Sequence, residues 1–95
     1  MDICRETVNK VIETLFPRPK YRLSEYISDS GFNYFVYNDY DEIFSFSFYR
    51  APEIFFTKPI EYQNEFNTLN EVFKLDKISL YSYEIKGFKD DLDSE

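Results

Sequence analysis

Between Glu42 and Arg50 the chain reads Ile43-Phe44-Ser45-Phe46-Ser47-Phe48-Tyr49, phenylalanine alternating with serine. Successive side chains of a strand point to opposite faces, so Phe44, Phe46 and Phe48 share one face and Ser45 and Ser47 the other. Three large rings in a row need cover. A strand with the same period lies just upstream at Phe32, Tyr34 and Val36. Matching the two faces predicts Val36 opposite Phe44, Tyr34 opposite Phe46 and Phe32 opposite Phe48. That parity calls for an odd-length hairpin loop, such as Asp39-Tyr40-Asp41, because a two-residue loop would turn the rings to opposite faces.

The flanking segments supply the rest of a small fold. From Asp2 to Phe16 the residues Cys4, Val8, Val11, Ile12 and Leu15 recur at threes and fours, the period of an amphipathic helix. Asp2 suits its N-cap, Glu6 the positive end of its dipole, and Pro17 with Pro19 ends it. Cys4 is expected on the buried face as a structural thiol. Tyr21 to Ser28 reads as a strand, joined through Asp29-Ser30-Gly31 to the strand from Phe32 to Asn38. After Ala51-Pro52, Glu53 to Thr57 fits a short fourth strand, with Pro52 tolerable at its start or edge.

Thr57 looks like a cap, with Pro59 in the first turn of a second helix from Lys58 to Lys74 that buries Tyr62, Phe66, Leu69 and Phe73. The last strand covers Lys77 to Phe88. Its apolar parity switches from Ile78 and Leu80 to Tyr81, Tyr83 and Ile85, which predicts a bulge or a strand buried on both faces. An acidic tail, residues 90–95, follows.

Helix, three or four strands, helix and strand with short connections predict an α+β fold. Its antiparallel sheet has four to five strands with two helices packed on one face, in a single domain over residues 1–89. The opposite sheet face is then open, and Tyr26, Phe35, Tyr37, Tyr49 and Tyr81 are its aromatic candidates. With 95 residues, 21% of them aromatic, the chain has material for one core.

Residue types exclude most catalytic apparatus. The sequence has no His and a single Cys, so no Ser-His or Cys-His nucleophile, intrachain disulfide, two-thiol redox pair or Cys/His metal site is available. Two glycines, Gly31 and Gly87, cannot build a phosphate-binding loop. Asp39, Asp41 and Glu42 stand close together but lack the glycine-punctuated pattern of a calcium loop. No enzymatic activity, cofactor or metal is expected. The N-terminal residues lack the layout of a signal peptide and no apolar run reaches the roughly 18–20 residues of a membrane span, so a cytoplasmic protein is expected.

Charge is where the sequence speaks about partners. Up to Phe35 acidic and basic residues balance, whereas from Val36 onward six basic residues meet thirteen acidic ones, which accounts for the whole net charge of -7. Such a surface repels phosphate backbones and anionic membranes and attracts basic proteins. Carboxylates two apart on a strand, or four apart on a helix like Glu61 and Glu65, lie roughly 6–7 Å from one another, near the spacing of successive phosphates. An acidic face of this kind can imitate nucleic acid.

The segment Gly31-Phe32-Asn33-Tyr34-Phe35-Val36-Tyr37 resembles part of the strand signature of the RNA-recognition motif. The resemblance implies aromatic rings that stack on bases. It covers seven residues, with Ser30 where a basic residue belongs, Asn33 where a small one belongs, and a helix at the start of the chain. Arg18, Lys20 and Arg22 are its basic support.

The favoured expectation is a small acidic inhibitor or immunity-type protein that binds and blocks a larger basic partner, a nucleic-acid enzyme or nucleoprotein complex. Asp39, Asp41, Glu42, Glu61 and Glu65 would supply the charge and Tyr37, Tyr40 and Tyr49 the anchors. In size and charge the chain is similar to phage and mobile-element proteins that block host nucleases or CRISPR-type complexes. The alternative is an adaptor or homodimer acting through the aromatic sheet face. Direct contact with nucleic acid or a membrane is not expected.

Overall fold

The structure, a computed structural model, describes residues 4–87. In chain order the elements are α1 (Arg5–Leu15), β1 (Arg22–Ser28), β2 (Gly31–Asn38), β3 (Asp41–Phe48), β4 (Pro52–Phe56), α2 (Gln63–Phe73), β5 (Leu75–Lys77) and β6 (Ser82–Ile85). The six strands form one antiparallel sheet in the order β1-β2-β3-β4-β6-β5. The fold is α+β, as the sequence pattern predicts, with one more strand than the four to five expected.

The phenylalanine ladder pairs as its parity requires: Val36 with Phe44, Tyr34 with Phe46 and Phe32 with Phe48. The next strand extends the rows, Phe44 meeting Phe56 and Phe46 meeting Ile54, and Tyr83 continues from Ile54. This face is covered by Val8 and Ile12 of α1 and by Leu69 and Phe73 of α2, all at 0% exposure, in one continuous core. Ring packing joins the layers. Phe16, just past α1, stacks on Phe44 with centroids 5.6 Å apart, Phe46 meets Phe73 at 5.6 Å, and Phe66 of α2 meets Tyr83 at 5.2 Å. Burying a Phe or Leu side chain contributes roughly 1.5–3 kcal/mol, so this apolar face holds both helices on the same side of the sheet.

The hairpin between β2 and β3 keeps the predicted register by an unexpected route. Its loop is two residues, Asp39-Tyr40, not three. A shift between Val36 and Tyr37 leaves Ile43 without a partner, since Tyr37 pairs with Glu42 and Val36 with Phe44. This bulge adds the odd residue that the loop lacks, and it turns both Ile43 and Phe44 into the core at 0% exposure.

Four further expectations are corrected. Helix α1 starts at Arg5, and the N-cap position belongs to Cys4, whose backbone is extended. Asp2 lies outside the described residues. Cys4 therefore precedes the helix and is exposed rather than part of its buried stripe, its thiol 2.7 Å from a carboxylate oxygen of Glu6. Helix α2 begins at Gln63 rather than near Lys58; the Lys58–Tyr62 stretch is a single turn closed by the Tyr62 amide on the Lys58 carbonyl at 3.0 Å. Thr57 does not cap it, because its hydroxyl is given to the carbonyls of Glu42 and Ile43.

The strand expected from Lys77 to Phe88 is the β5-β6 hairpin. Its parity switch is the turn itself, where the amides of Ile78 and Ser79 donate to the Ser82 carbonyl. Residues of the expected tail, 90–95, lie outside the described residues.

Candidate functional site

Two surfaces emerge, and they divide the residues expected to act together. The first is the tip of the β2-β3 hairpin with the turn that precedes α2. Asp39 enters the tip in the left-handed region at φ 59°, a conformation that Asp and Asn tolerate better than most side chains. Tyr40 beside it is 97% exposed, a ring with no apolar cover. Asp41 accepts an ion pair from Lys58 at 3.3 Å, which brings the turn against the hairpin. The Asp41 carboxylate, through its hydrogen bond and then its charge, raises the Lys58 pKa, with Glu61 adding a smaller push in the same direction.

At the same end Asn38 donates to the Tyr62 hydroxyl at 2.9 Å, fastening the hairpin to the start of α2. Asp39 and Asp41 thus flank the exposed Tyr40 ring in sequence, and Glu61 lies at the same end, close enough to Lys58 to act on its charge. Both partners of the Lys58 ion pair face solvent, so the pair adds little stability, and the end keeps an acidic surplus in Asp39 and Glu61. Glu61 and Glu65 do not share a helix as expected: Glu61 lies in the turn, while Glu65 sits in the first turn of α2.

The second surface is the sheet face opposite the helices. Across the strands it carries the row Arg22-Tyr37-Glu42, the row Ser24-Phe35-Ser45-Phe55-Ser82, and the row Tyr26-Asn33-Ser47-Glu53-Glu84-Asp76. Tyr37 and Glu42, expected beside the tip acids, belong here. The Arg22 guanidinium lies over the Tyr37 ring, 4.4 Å from its centroid. Tyr49 is at the far end of β3, where its hydroxyl donates to the Asn33 carboxamide, which in turn donates to Ser47. It is nine residues from Tyr40, one of them the bulge, or about 26 Å along the strand.

The third row was not foreseen. Asp76 and Glu84 meet across the β5-β6 hairpin, and the β4-β6 pairing brings Glu53, more than twenty residues upstream, alongside them. Lys86 pairs with Glu84 at 3.1 Å and with Asp76 at 3.9 Å, while Glu53 has no ion pair among the described residues. Like charges directly opposite one another cost stability, and Lys86 offsets that cost only at the Glu84–Asp76 end of the row. Phe55, two residues from Glu53 on the same face, is 38% exposed and meets Tyr81 edge to face at 6.0 Å.

A shallow depression of about 330 Å³ lies at the opposite end of the sheet from the tip, lined by Arg5, Ser28, Asp29, Ser30 and Tyr49 among others. Ser28 and Ser30 bond to each other there at 3.2 Å. No group of three or more candidate metal ligands occurs among the described residues. No described helix is long and apolar enough to cross a membrane.

The segment that resembles the RNA-recognition motif is divided between the two sheet faces, with Asn33, Phe35 and Tyr37 on the open one. Its alternating residues Phe32, Tyr34 and Val36 face the helices, and Tyr34 is 1% exposed. The basic cluster is also engaged within the chain: Arg18 pairs with Glu13 at 3.1 Å, Lys20 lies over the Tyr21 ring, and Arg22 lies over Tyr37. Comparison of the chain with protein-family models, curated proteins and solved structures finds no match.

Proposed function

We propose that this protein acts by stoichiometric binding to a larger basic protein, blocking a nucleic-acid-processing partner, and that the hairpin-tip end is its contact surface. The observation that carries this reading is Tyr40, 97% exposed between Asp39 and Asp41 with Glu61 at the same end. Aromatic side chains surrounded by charge are the usual energetic centres of protein contacts. An uncovered ring in water forgoes burial that a partner can supply, and the surrounding carboxylates steer a basic partner toward it.

The test is capture from an extract of the native host, with and without nuclease treatment. Wild type is compared with a tip variant carrying Y40S, D39N and D41N and with a sheet variant carrying Y37S and Y49S. The reading expects one basic nucleic-acid-binding protein, displaced by added DNA or RNA, to be held by wild type and the sheet variant and lost on the tip variant. Retention on the tip variant rejects it.

A second reading, an adaptor or homodimer through the sheet face, is favoured by the rings exposed there. It expects concentration-dependent self-association in sedimentation that Y37S and Y49S abolish.

A further inference from the structure

The open sheet face displays one arginine contact already made. Arg22 lies over Tyr37 at 4.4 Å, and Glu42 is the cross-strand neighbour on the other side of Tyr37: a guanidinium on a ring with a carboxylate in the same row. Guanidinium groups favour such places because they are planar, stack on rings and are weakly hydrated.

The same elements recur two strands away. Phe55 and Tyr81 present two rings in edge contact, each more than a third exposed. Glu53 shares the Phe55 face and strand, roughly 6–7 Å along, and Glu84 is its neighbour across β6. Here no guanidinium is present among the described residues, and Lys86 is turned to Glu84 and Asp76, leaving Glu53 without an ion pair.

Charge selects the occupant. The face bears Glu42, Glu53, Asp76 and Glu84 against Arg22 and Lys86. A second copy would bring the same net negative charge, and nucleic acid would bring more. Hydroxyls of Ser47 and Ser82 in the neighbouring positions add acceptors for guanidinium N–H groups.

We propose that the outer face of β4 and β6 is a docking site for an arginine-bearing segment of a protein partner, the guanidinium resting on Phe55 and pairing with Glu53. The proposal deepens the reading that the partner is a basic protein, but it rests on a different surface from the hairpin tip. Arginine is preferred to lysine here because the compact ammonium cannot stack and pair at once.

The experiment is a titration of isotope-labelled full-length protein with hexa-arginine and hexa-lysine peptides, followed residue by residue in amide NMR spectra. The expected result is movement of the Glu53–Phe55 and Ser82–Glu84 amides, with hexa-arginine bound about fivefold or more tighter than hexa-lysine. E53Q and F55S each weaken hexa-arginine binding by about fivefold, while E71Q, at an exposed position of α2, leaves it unchanged. Both sites are solvent-facing, and the unshifted spectrum of the remaining residues verifies folding of each variant. Movement confined to the Asp39–Glu42 amides overturns this site and leaves the hairpin-tip reading standing. Equal affinity for the two peptides, no dependence on Glu53 and Phe55, or no binding overturns it as well.

Discussion

Thr57 holds the bulge at Ile43. Its amide donates to the Ile43 carbonyl at 3.1 Å, and its hydroxyl reaches the Glu42 carbonyl at 3.2 Å and the Ile43 carbonyl at 3.4 Å. A bulged residue is left out of the regular ladder, so its carbonyls need another donor. The residue that follows β4 supplies one, and in doing so locks the register that keeps Phe44 and Phe46 under the helices.

T57V, which keeps the shape and removes the hydroxyl, is expected to cost about 1 kcal/mol of unfolding free energy, the scale of one hydrogen bond. Denaturant melts measure it. A second readout is amide exchange: protection falls first at Glu42–Phe44 if the hydroxyl pins the bulge, and an unchanged pattern contradicts that role.

Gly31 is required for space rather than for an unusual backbone angle. A Cβ placed there would lie 2.0 Å from the Phe48 carbonyl oxygen and 2.5 Å from a Tyr49 ring carbon. The first atom is backbone and cannot step aside cheaply. G31A is expected to destabilise by about 1–3 kcal/mol, the range for forced overpacking, and to release the Tyr49 hydroxyl from Asn33. Thermal melts and the near-ultraviolet tyrosine signal report the two effects.

The parts of the fold legible in the sequence are those written in a local period. Phe44-Ser45-Phe46-Ser47-Phe48 dictates a face, and one face forces the pairing with Phe32, Tyr34 and Val36 whatever the loop does. The bulge escaped notice because a three-residue loop and a two-residue loop with one extra strand residue have the same parity, and Ile43 is apolar in either case. The β5-β6 turn escaped because Ile78, Ser79, Leu80 and Tyr81 contain no Gly, Pro, Asn or Asp, the usual turn residues.

Cys4 misled for a related reason. It fits the helical period to Val8, but the period continues past a helix end without marking it. Of the surface, the hairpin acids were readable as neighbours in sequence. The Glu53-Glu84-Asp76 row was not, since Asp76 and Glu84 meet across an unforeseen hairpin and Glu53 joins them only through the long-range β4-β6 pairing.

Tyr34 connects pH to stability. Its ring is in the core, and burial first, then the nearby negative charge of Glu25, raises its pKa above the ordinary 10.0. A folded-state pKa above the unfolded one means that the folded protein holds this proton more tightly. The associated stability is fully present below pH about 10 and is lost as pH rises through the folded value. In an absorbance titration of phenolate formation, Tyr34 is expected to ionise late, together with unfolding. Y34F removes that late step and moves the alkaline unfolding midpoint upward. The variant also loses the long hydroxyl contact to the Arg5 carbonyl, 3.4 Å, at a small cost near neutral pH. An unchanged midpoint in Y34F would show that other groups govern alkaline unfolding.

Asp39 separates stability from binding. It occupies the left-handed region at φ 59°, where Asn is at least as comfortable as Asp, and it has no ion pair among the described residues. D39N therefore changes charge without changing shape or backbone preference, and the melting curve is expected to stay within about 0.5 kcal/mol of wild type. If the tip binds a basic partner, the same variant associates more slowly, because rim charges act mainly through electrostatic steering. The deficit is largest at low ionic strength and shrinks as salt screens the field beyond roughly 8–10 Å. Stopped-flow association with the captured partner, measured at two salt concentrations, gives both numbers. An association rate equal to wild type at low salt would remove Asp39 from the contact, while an equal melting curve would still confirm its conformational role at the tip.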